Sequence, residues 1–170
     1  YLAKLIARGY KGAICEQTEA AGQGKKLVDR RVVRVVTPGT LVEENLLERG
    51  VNNYLAALVP GDAPSTGLRT GQCGIAHVDV STGEFACLQT DAAAAAAELE
   101  RLRPAELLLP QGLTPPAGVS ATLTPLPPGF FNAEAAVPRL LDHFGAAGLD
   151  GLGLAGLTLA ASAAGAVLAY

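Results

Sequence analysis

Carboxylates close to the ends of predicted strands are the residues of this sequence that could do chemistry. Asp79 stands at the end of the first strand of a predicted hairpin, Glu106 precedes a later strand, and Asp142 lies on a predicted helix. Two-metal phosphoryl chemistry needs several carboxylates around Mg²⁺ or Mn²⁺. No spacing rule selects these three, and a strand-end Asp79 would instead accept hydrogen bonds from the turn hydroxyls of Ser81 and Thr82. We expect that structural role for Asp79.

Basic side chains are concentrated at the start of the chain. The net charge is -3, yet residues 1–34 hold 8 basic and 3 acidic residues, whereas the remainder holds 5 basic and 13 acidic ones. A basic segment attracts phosphate and an acidic body repels it. No aromatic residue lies in 11–53, so this segment has no ring to stack on bases. We predict weak, salt-dependent contact with a DNA backbone through five side chains: Lys25, Lys26, Arg30, Arg31 and Arg34.

The motifs of cofactor and metal sites are missing. The glycines and lysines of 22–26 superficially resemble a phosphate loop, but the sequence has no G-x-x-x-x-G-K-[ST] motif. His77 and His143 lack ligand spacing, and we interpret His77 as a strand-face residue. The cysteines form no C-x-x-C pair, so we expect buried, reduced thiols in a cytoplasmic protein at all three positions: Cys15, Cys73 and Cys87.

The elements that would position the basic residues come first in the chain. A helix should end at Gly9, a buried strand should span Gly12 to Glu16, and a Val/Arg strand should span Asp29 to Thr37. Strict alternation would put Arg30 and Arg34 on one face of that strand.

A turn and a change of charge sign predict a domain boundary near residue 40. Thr37-Pro38-Gly39-Thr40 has turn chemistry, and Thr40 with Glu43 fits a capping box for a helix from Leu41 to about Leu47. We therefore predict domains over 1–40 and 41–170.

The pattern after the boundary predicts a layered α/β domain with a mixed sheet, because a tight hairpin is followed by a helical crossover. The predicted strands are 53–59, 73–80, 84–89, 107–109 and 122–126, and the predicted helices are 91–103, 133–144 and one from about 154 onward. The last 20 residues carry no charge, but they lack flanking Lys/Arg and include Thr158 and Ser162. We interpret them as a buried helix and not a membrane span. The chain opens and closes inside apparent helices, which is typical of an excised segment.

Several blocks occur in the order and spacing of a known family, and together they strongly resemble bacterial MutS. The likeness is weak between residues 111 and 150. The blocks are Ala13–Gln17, Arg31–Thr40, Asn53–Ala57, Val78–Phe85, Arg103–Leu108 and the closing Ala163–Tyr170.

This resemblance implies both a fold and a role. Residues 1–40 would be the C-terminal part of the mismatch-recognition domain. Residues 41–170 would be the connector domain, a ribonuclease-H-like three-layer fold without nuclease activity. The family's ATPase domain, which binds ATP and Mg²⁺, is not matched by these residues, so we expect no cofactor and no catalysis here.

The resemblance implies three partners. They are the protein MutL, the remaining MutS domains, and mismatched double-stranded DNA, which the parent protein would bind. The helix of 133–144 would lie nearest the MutL surface, with three candidate contact residues: Arg139, Asp142 and His143. The competing hypothesis is a ribonuclease-H-like metal-dependent nuclease that uses Asp79 with Glu106 and Asp142. A third hypothesis is a membrane-anchored module ending in 151–170.

Overall fold

A two-stranded sheet precedes a five-stranded one in the computed structural model of the protein. The structure describes residues 2–6, 8–17, 29–42, 51–61 and 71–170. The N-terminal unit, defined here as the described residues up to 42, contains helix α1 (Leu2–Ile6) and strands β1 (Gly12–Gln17) and β2 (Arg30–Val36). The strands pair antiparallel, and a short 3₁₀ turn over Pro38–Thr40 follows them.

The second unit, residues 51–170, is built on a mixed sheet. Its strand order is β5-β4-β3-β6-β7: β4 pairs antiparallel with both β3 and β5, whereas β6 is parallel to β3 and to β7. The elements in chain order are β3 (Tyr54–Pro60), β4 (Gln72–Asp79), β5 (Glu84–Asp91), α2 (Ala92–Leu102), β6 (Glu106–Pro110), β7 (Thr122–Leu126), α3 (Ala133–Phe144) and α4 (Thr158–Ala169). This confirms the predicted α/β class with a mixed sheet.

Helices cover both faces of this sheet, because its central strands are apolar on both sides. Ala56, Leu58 and Ile75 pack with Leu99 of α2 on one face. The opposite face packs against α3 and α4, with the alternate residues Leu55, Ala57, Val59 and Leu108 in its core. The architecture is therefore helix, sheet and helices in three layers.

Small side chains allow α4 to lie very close to the sheet. A Cβ built on Gly74 of β4 would stand 2.1 Å from the carbonyl oxygen of Leu159, so only glycine allows this approach. The alanines of α4 are buried from Ala160 to Ala166, so this helix lies inside the fold as predicted. Among the described residues, no helix is both long and apolar enough to cross a bilayer.

The N-terminal unit has a much smaller core. Ile6, Val36 and Leu41 are buried together, whereas Val32, Val33 and Val35 of β2 are 50–55% exposed. A two-stranded ladder with one short helix buries too little apolar area to be stable alone.

Several local predictions were wrong. Strand β1 is not buried, because the small core of this unit reaches only Ile14, and most of the strand is exposed. The three thiols are not all buried, since Cys15 is exposed and Cys87 is half-buried.

No helix begins at Leu41, because the 3₁₀ turn ends at Thr40 and the Leu41 backbone is extended, with φ −73° and ψ 126°. The rest of the predicted helix, 43–47, lies outside the described residues. Helix α4 begins at Thr158 and not near Leu154, because a turn precedes it.

The alternation predicted for the two faces of β2 was also wrong. The register passes from Arg34 opposite Ile14 to Val32 opposite Cys15, so Val33 is an additional residue at a bulge. A bulge redirects the neighbouring side chains, and the strict alternation predicted for Arg30 and Arg34 does not hold across it.

Candidate functional site

A buried carboxylate joins the two units. Glu106, at the start of β6, is fully buried, and its carboxylate accepts hydrogen bonds from three segments. Its Oε2 accepts from the Gly39 amide at 3.0 Å, and its Oε1 accepts from the hydroxyls of Thr124 and Tyr170, each at 2.6 Å. Buried charges need this degree of hydrogen bonding, because ionisation away from water is otherwise very costly.

A lysine of the N-terminal unit completes this cluster. The Lys11 ammonium donates to the Tyr170 hydroxyl at 2.7 Å and lies 3.6 Å from Glu106 Oε1. It also lies 5.0 Å from the centroid of the Tyr170 ring. We call these groups the junction cluster: Lys11, Gly39, Glu106, Thr124 and Tyr170. It connects the strand pair, the turn after it, the five-stranded sheet and the end of the chain.

Close packing brings the Gly39 amide to the carboxylate. Pro38 and Gly39 are both buried, and a Cβ on Gly39 would stand 2.9 Å from the Cβ atoms of Glu106 and Leu55. The Asn53 side chain donates to the Pro38 carbonyl at 2.8 Å and fixes the turn from its other side. The turn needs glycine at position 39 because a Cβ there would stand too close to Glu106 and Leu55.

The hydrogen bonds keep Glu106 ionised. Burial alone would raise the pKa of the carboxyl, but donors from Thr124, Thr37, Tyr170 and the Gly39 amide together outweigh it and lower the pKa below its ordinary value. Burial, followed by the hydrogen bond to Glu106, raises the pKa of Tyr170, so the phenol keeps the proton that it donates.

Asp79 has the structural role that the sequence predicts. It is buried, and its carboxylate accepts from the amide and the hydroxyl of Ser81 at 2.9 and 2.6 Å and from the Asn53 amide at 3.2 Å. The Thr82 hydroxyl instead reaches the Asp79 backbone carbonyl at 3.5 Å. Burial raises the pKa of Asp79, but these hydrogen bonds outweigh it and lower the pKa overall.

The geometry does not support the nuclease hypothesis. Asp79 and Glu106 flank β3, opposite Tyr54 and Leu55 respectively, and successive residues of a strand point to opposite faces. Asp79 therefore faces the α2 side and Glu106 faces the α4 side, while Asp142 is exposed on α3. Across the residues that the structure describes, no group of three or more His, Cys, Asp or Glu side chains could hold a metal ion.

His77 is a buried strand-face residue, as predicted. It is 4% exposed on β4, its ring meets the Tyr54 ring edge-on at 5.0 Å, and its Nε2 lies 3.8 Å from Glu84. Burial is the largest effect on its pKa and lowers it, so the imidazole is neutral at physiological pH.

The predicted DNA-contacting residues are only partly described. Lys25 and Lys26 lie outside the described residues. Arg30 and Arg31 are exposed at the start of β2, whereas Arg34 is half-buried and donates to the Thr40 carbonyl at 3.4 Å. Arg34 therefore supports the turn as well as adding charge.

The three residues predicted for a partner surface differ in their surroundings. The Arg139 guanidinium donates to the Gly165 carbonyl of α4 at 2.9 Å, so it ties the two helices together. Asp142 and His143 are exposed, and His143 packs edge-on against Phe144. Leu140 and Phe144 of the same helix line an apolar groove of about 320 Å³, whose other lining residues include Phe85, Cys87, Leu152 and Leu154.

Sequence reasoning missed most of the junction cluster. It weighed Glu106 only as a metal ligand and counted Lys11 only as surface charge. The signal that could have pointed to the cluster is the Thr37–Thr40 turn, since a Pro-Gly turn followed by a charge change marks a place where two units meet.

Comparison with known proteins identifies the class of chain that has this arrangement. A family model for MutS domain II matches residues 53–170, and one for MutS domain I matches residues 1–45. The chain thus comprises parts of two adjoining domains of a multidomain protein. It belongs to the MutS family of DNA mismatch repair proteins. The division at residue 40 stays a prediction.

Curated relatives agree over the whole chain. A DNA mismatch repair protein MutS of Dehalococcoides mccartyi is 47% identical over 172 residues, covering 100% of this chain and 19% of that protein. The corresponding protein of Symbiobacterium thermophilum is 46% identical over 181 residues, covering 100% and 20%, and that of a Synechococcus species is 42% identical over 189 residues, covering 100% and 21%. The chain therefore spans about a fifth of the length of the curated relatives it matches. The matched part is domains I and II, without the family's ATPase domain, so these 170 residues are a non-catalytic part of a MutS protein.

Proposed function

We propose that residues 41–170 form the MutS connector domain, with a ribonuclease-H-like fold, and that they relay between mismatch-bound DNA and the ATPase domain of the parent protein. The observation that carries this proposal is the junction cluster. It fastens the domain I segment to the domain II sheet through a buried, ionised Glu106, so a displacement of one unit would be transmitted to the other. The mixed sheet with helices on both faces supports the fold.

We further propose that the α3 side offers a surface to MutL. Leu140 and Phe144 of α3 line the apolar groove, and the exposed His143 adjoins Phe144; the exposed Asp142 lies on another face of the same helix. An apolar patch near exposed polar residues is typical of a protein interface. Arg139 would contribute indirectly, by holding α3 on α4.

The DNA contribution of this chain would be weak and electrostatic. Arg30 and Arg31, with Lys25 and Lys26, would meet phosphates without reading bases. Mismatched double-stranded DNA, ATP and Mg²⁺ would be bound by the parent protein as a whole, in the cytoplasm.

A paired binding assay tests these roles. We expect the purified chain to capture MutL from the same organism. Asp142→Arg should weaken capture about tenfold or more, since it reverses an exposed charge on α3, while Glu100→Arg, the matched reversal at an exposed position of α2, should leave capture unchanged. Equal loss from both variants, or no capture by the folded chain, would remove the MutL surface from this proposal.

The DNA arm uses a charge reversal in the basic segment. Lys25→Glu with Arg30→Glu should reduce the low-salt DNA affinity of the chain and leave the fold of 51–170 intact. Arg101→Glu with Arg103→Glu makes the same net charge change on the second unit and should have a much smaller effect. Unchanged affinity in the first variant would show that the basic segment does not touch phosphate.

A further inference from the structure

We propose that Glu106 is a positioning residue that acts as a latch: its ionised carboxylate fixes the Thr37–Thr40 turn and the end of α4 against the same edge of the sheet. The inference rests on the proposed relay function, because it names the group through which the two units would be coupled.

The donors to Glu106 come from three segments that are far apart in sequence. Gly39 belongs to the turn after β2, Thr124 belongs to β7, and Tyr170 follows α4. The Thr37 side chain also hydrogen-bonds to both Glu106 and Tyr170, so the three segments meet at this carboxylate and the turn is held there through two of its residues. The carboxylate is fully buried, so it has no water to replace a donor that leaves.

A chain of hydrogen bonds extends the latch into the strand pair. Lys11, just before β1, donates to Tyr170, and Tyr170 donates to Glu106. Lys11 is 42% exposed, so it sits at the open side of the cluster while the carboxylate lies inside. Movement of the N-terminal unit away from the sheet would withdraw both Lys11 and Gly39 and leave a buried negative charge with fewer donors.

Such a cluster favours two discrete states. With all donors in place the buried charge is satisfied, and partial withdrawal is unfavourable because hydrogen bonds to a buried charge are stronger than neutral ones. The joint should therefore be either closed with Glu106 fully hydrogen-bonded or open with the carboxylate hydrated. A relay between domains needs a joint of this kind.

Exchange of the Gly39 amide hydrogen reports directly on the latch, since this hydrogen is donated to Glu106 Oε2. Glu106→Gln keeps the size of the side chain but removes the charge and directs an amide NH₂ group towards existing donors. We expect amide exchange at Gly39 to rise about tenfold or more, as expected for the loss of a hydrogen bond to a charged group, while amides in the centre of β3, β4 and β5 keep their rates. Glu98→Gln makes the same change at a half-buried position of α2, where the carboxylate accepts from Arg101. It should leave the exchange rate of the Gly39 amide unchanged.

Tyr170→Phe provides a second, milder variant. It removes one donor and leaves the carboxylate, so Gly39 exchange should rise several-fold even if Glu106→Gln fails to fold. Uniformly faster exchange over the whole sheet in Tyr170→Phe would make the cluster an ordinary part of the core and overturn the proposal, as would unchanged Gly39 exchange in both variants. Amide exchange at Gly39 requires neither DNA nor MutL. The MutL capture and DNA titration experiments can therefore succeed or fail independently of it, which separates a failed latch from a failed relay function.

Discussion

The two units of this chain differ in how far they bury the aliphatic side chains of their strands. In the five-stranded sheet, Leu107 and Leu108 are fully buried between helices on both faces. In β2, three valines are about half exposed, and the strand has only β1 as a described neighbour in its sheet. The second unit therefore has a core of its own, whereas the N-terminal unit depends on its contact with the sheet through the Thr37–Thr40 turn. Stability in this molecule should be unequal, and the junction cluster should be where the weaker unit gains support.

Removing a leucine from the core of the sheet should have the largest effect. Leu108→Ala deletes a fully buried side chain between β6 and α4, and we expect the free energy of unfolding to fall by about 2–5 kcal/mol. Urea denaturation followed by circular dichroism measures it. Val33→Ala, at an exposed position of β2, should change the same quantity by no more than about 0.5 kcal/mol. Similar losses from the two variants would contradict the division into a strong and a weak unit.

A methyl group at the junction should separate the units without damaging the sheet. Gly39→Ala places a Cβ against Glu106 and Leu55, so the turn must move outward, at a cost of about 1–3 kcal/mol. Amide exchange should accelerate over the N-terminal unit and stay slow in β3 to β6. Gly83→Ala, in the exposed hairpin turn where nothing lies near the added methyl, is a control that reports only the strain of a positive φ. If amide exchange over the N-terminal unit is as slow in Gly39→Ala as in the parent chain, the close contact of position 39 with Glu106 and Leu55 is not needed to hold the units together.

Lowering the pH should weaken the junction cluster in the acidic range and leave it unchanged near neutral pH. The folded-state pKa of Glu106 is lowered, so its contribution to stability is complete above the pKa of the unfolded chain, about 4.3, and is lost as pH falls through the lower folded value. The stability difference between the parent chain and Glu106→Gln should thus be constant near pH 7 and shrink below about pH 4. A difference that instead grows on acidification would reverse the assigned sign.

The sequence allowed most of the second unit to be predicted, because its signals are local. Asp91 caps α2, with the Ala94 amide donating to it at 2.8 Å, and the Ser81–Gly83 turn joins β4 to β5 as expected. Asp79 was recognised as a turn-binding carboxylate because its partner lies two residues away.

The junction could not be predicted in the same way, since its members are far apart in sequence. Glu106 receives donors from positions 39, 124 and 170, and no local pattern links them. The Thr37–Thr40 pair was missed for a related reason, since it has the same spacing as Thr40 with Glu43. The structure joins Thr37 to Thr40 by hydrogen bonds, and Glu43 lies outside the described residues. The bulge at Val33 likewise depends on register with β1, which the sequence of β2 alone does not specify.

Residue-resolved amide exchange across the whole chain would separate a stable sheet from an N-terminal unit that depends on it. We expect slow exchange through β3, β4, β6 and α4, faster exchange in β1 and β2, and an intermediate rate at the Gly39 amide. Uniformly slow exchange in both units, or a Gly39 amide as fast as those of β2, would contradict a weak N-terminal unit held on a stable sheet by Glu106.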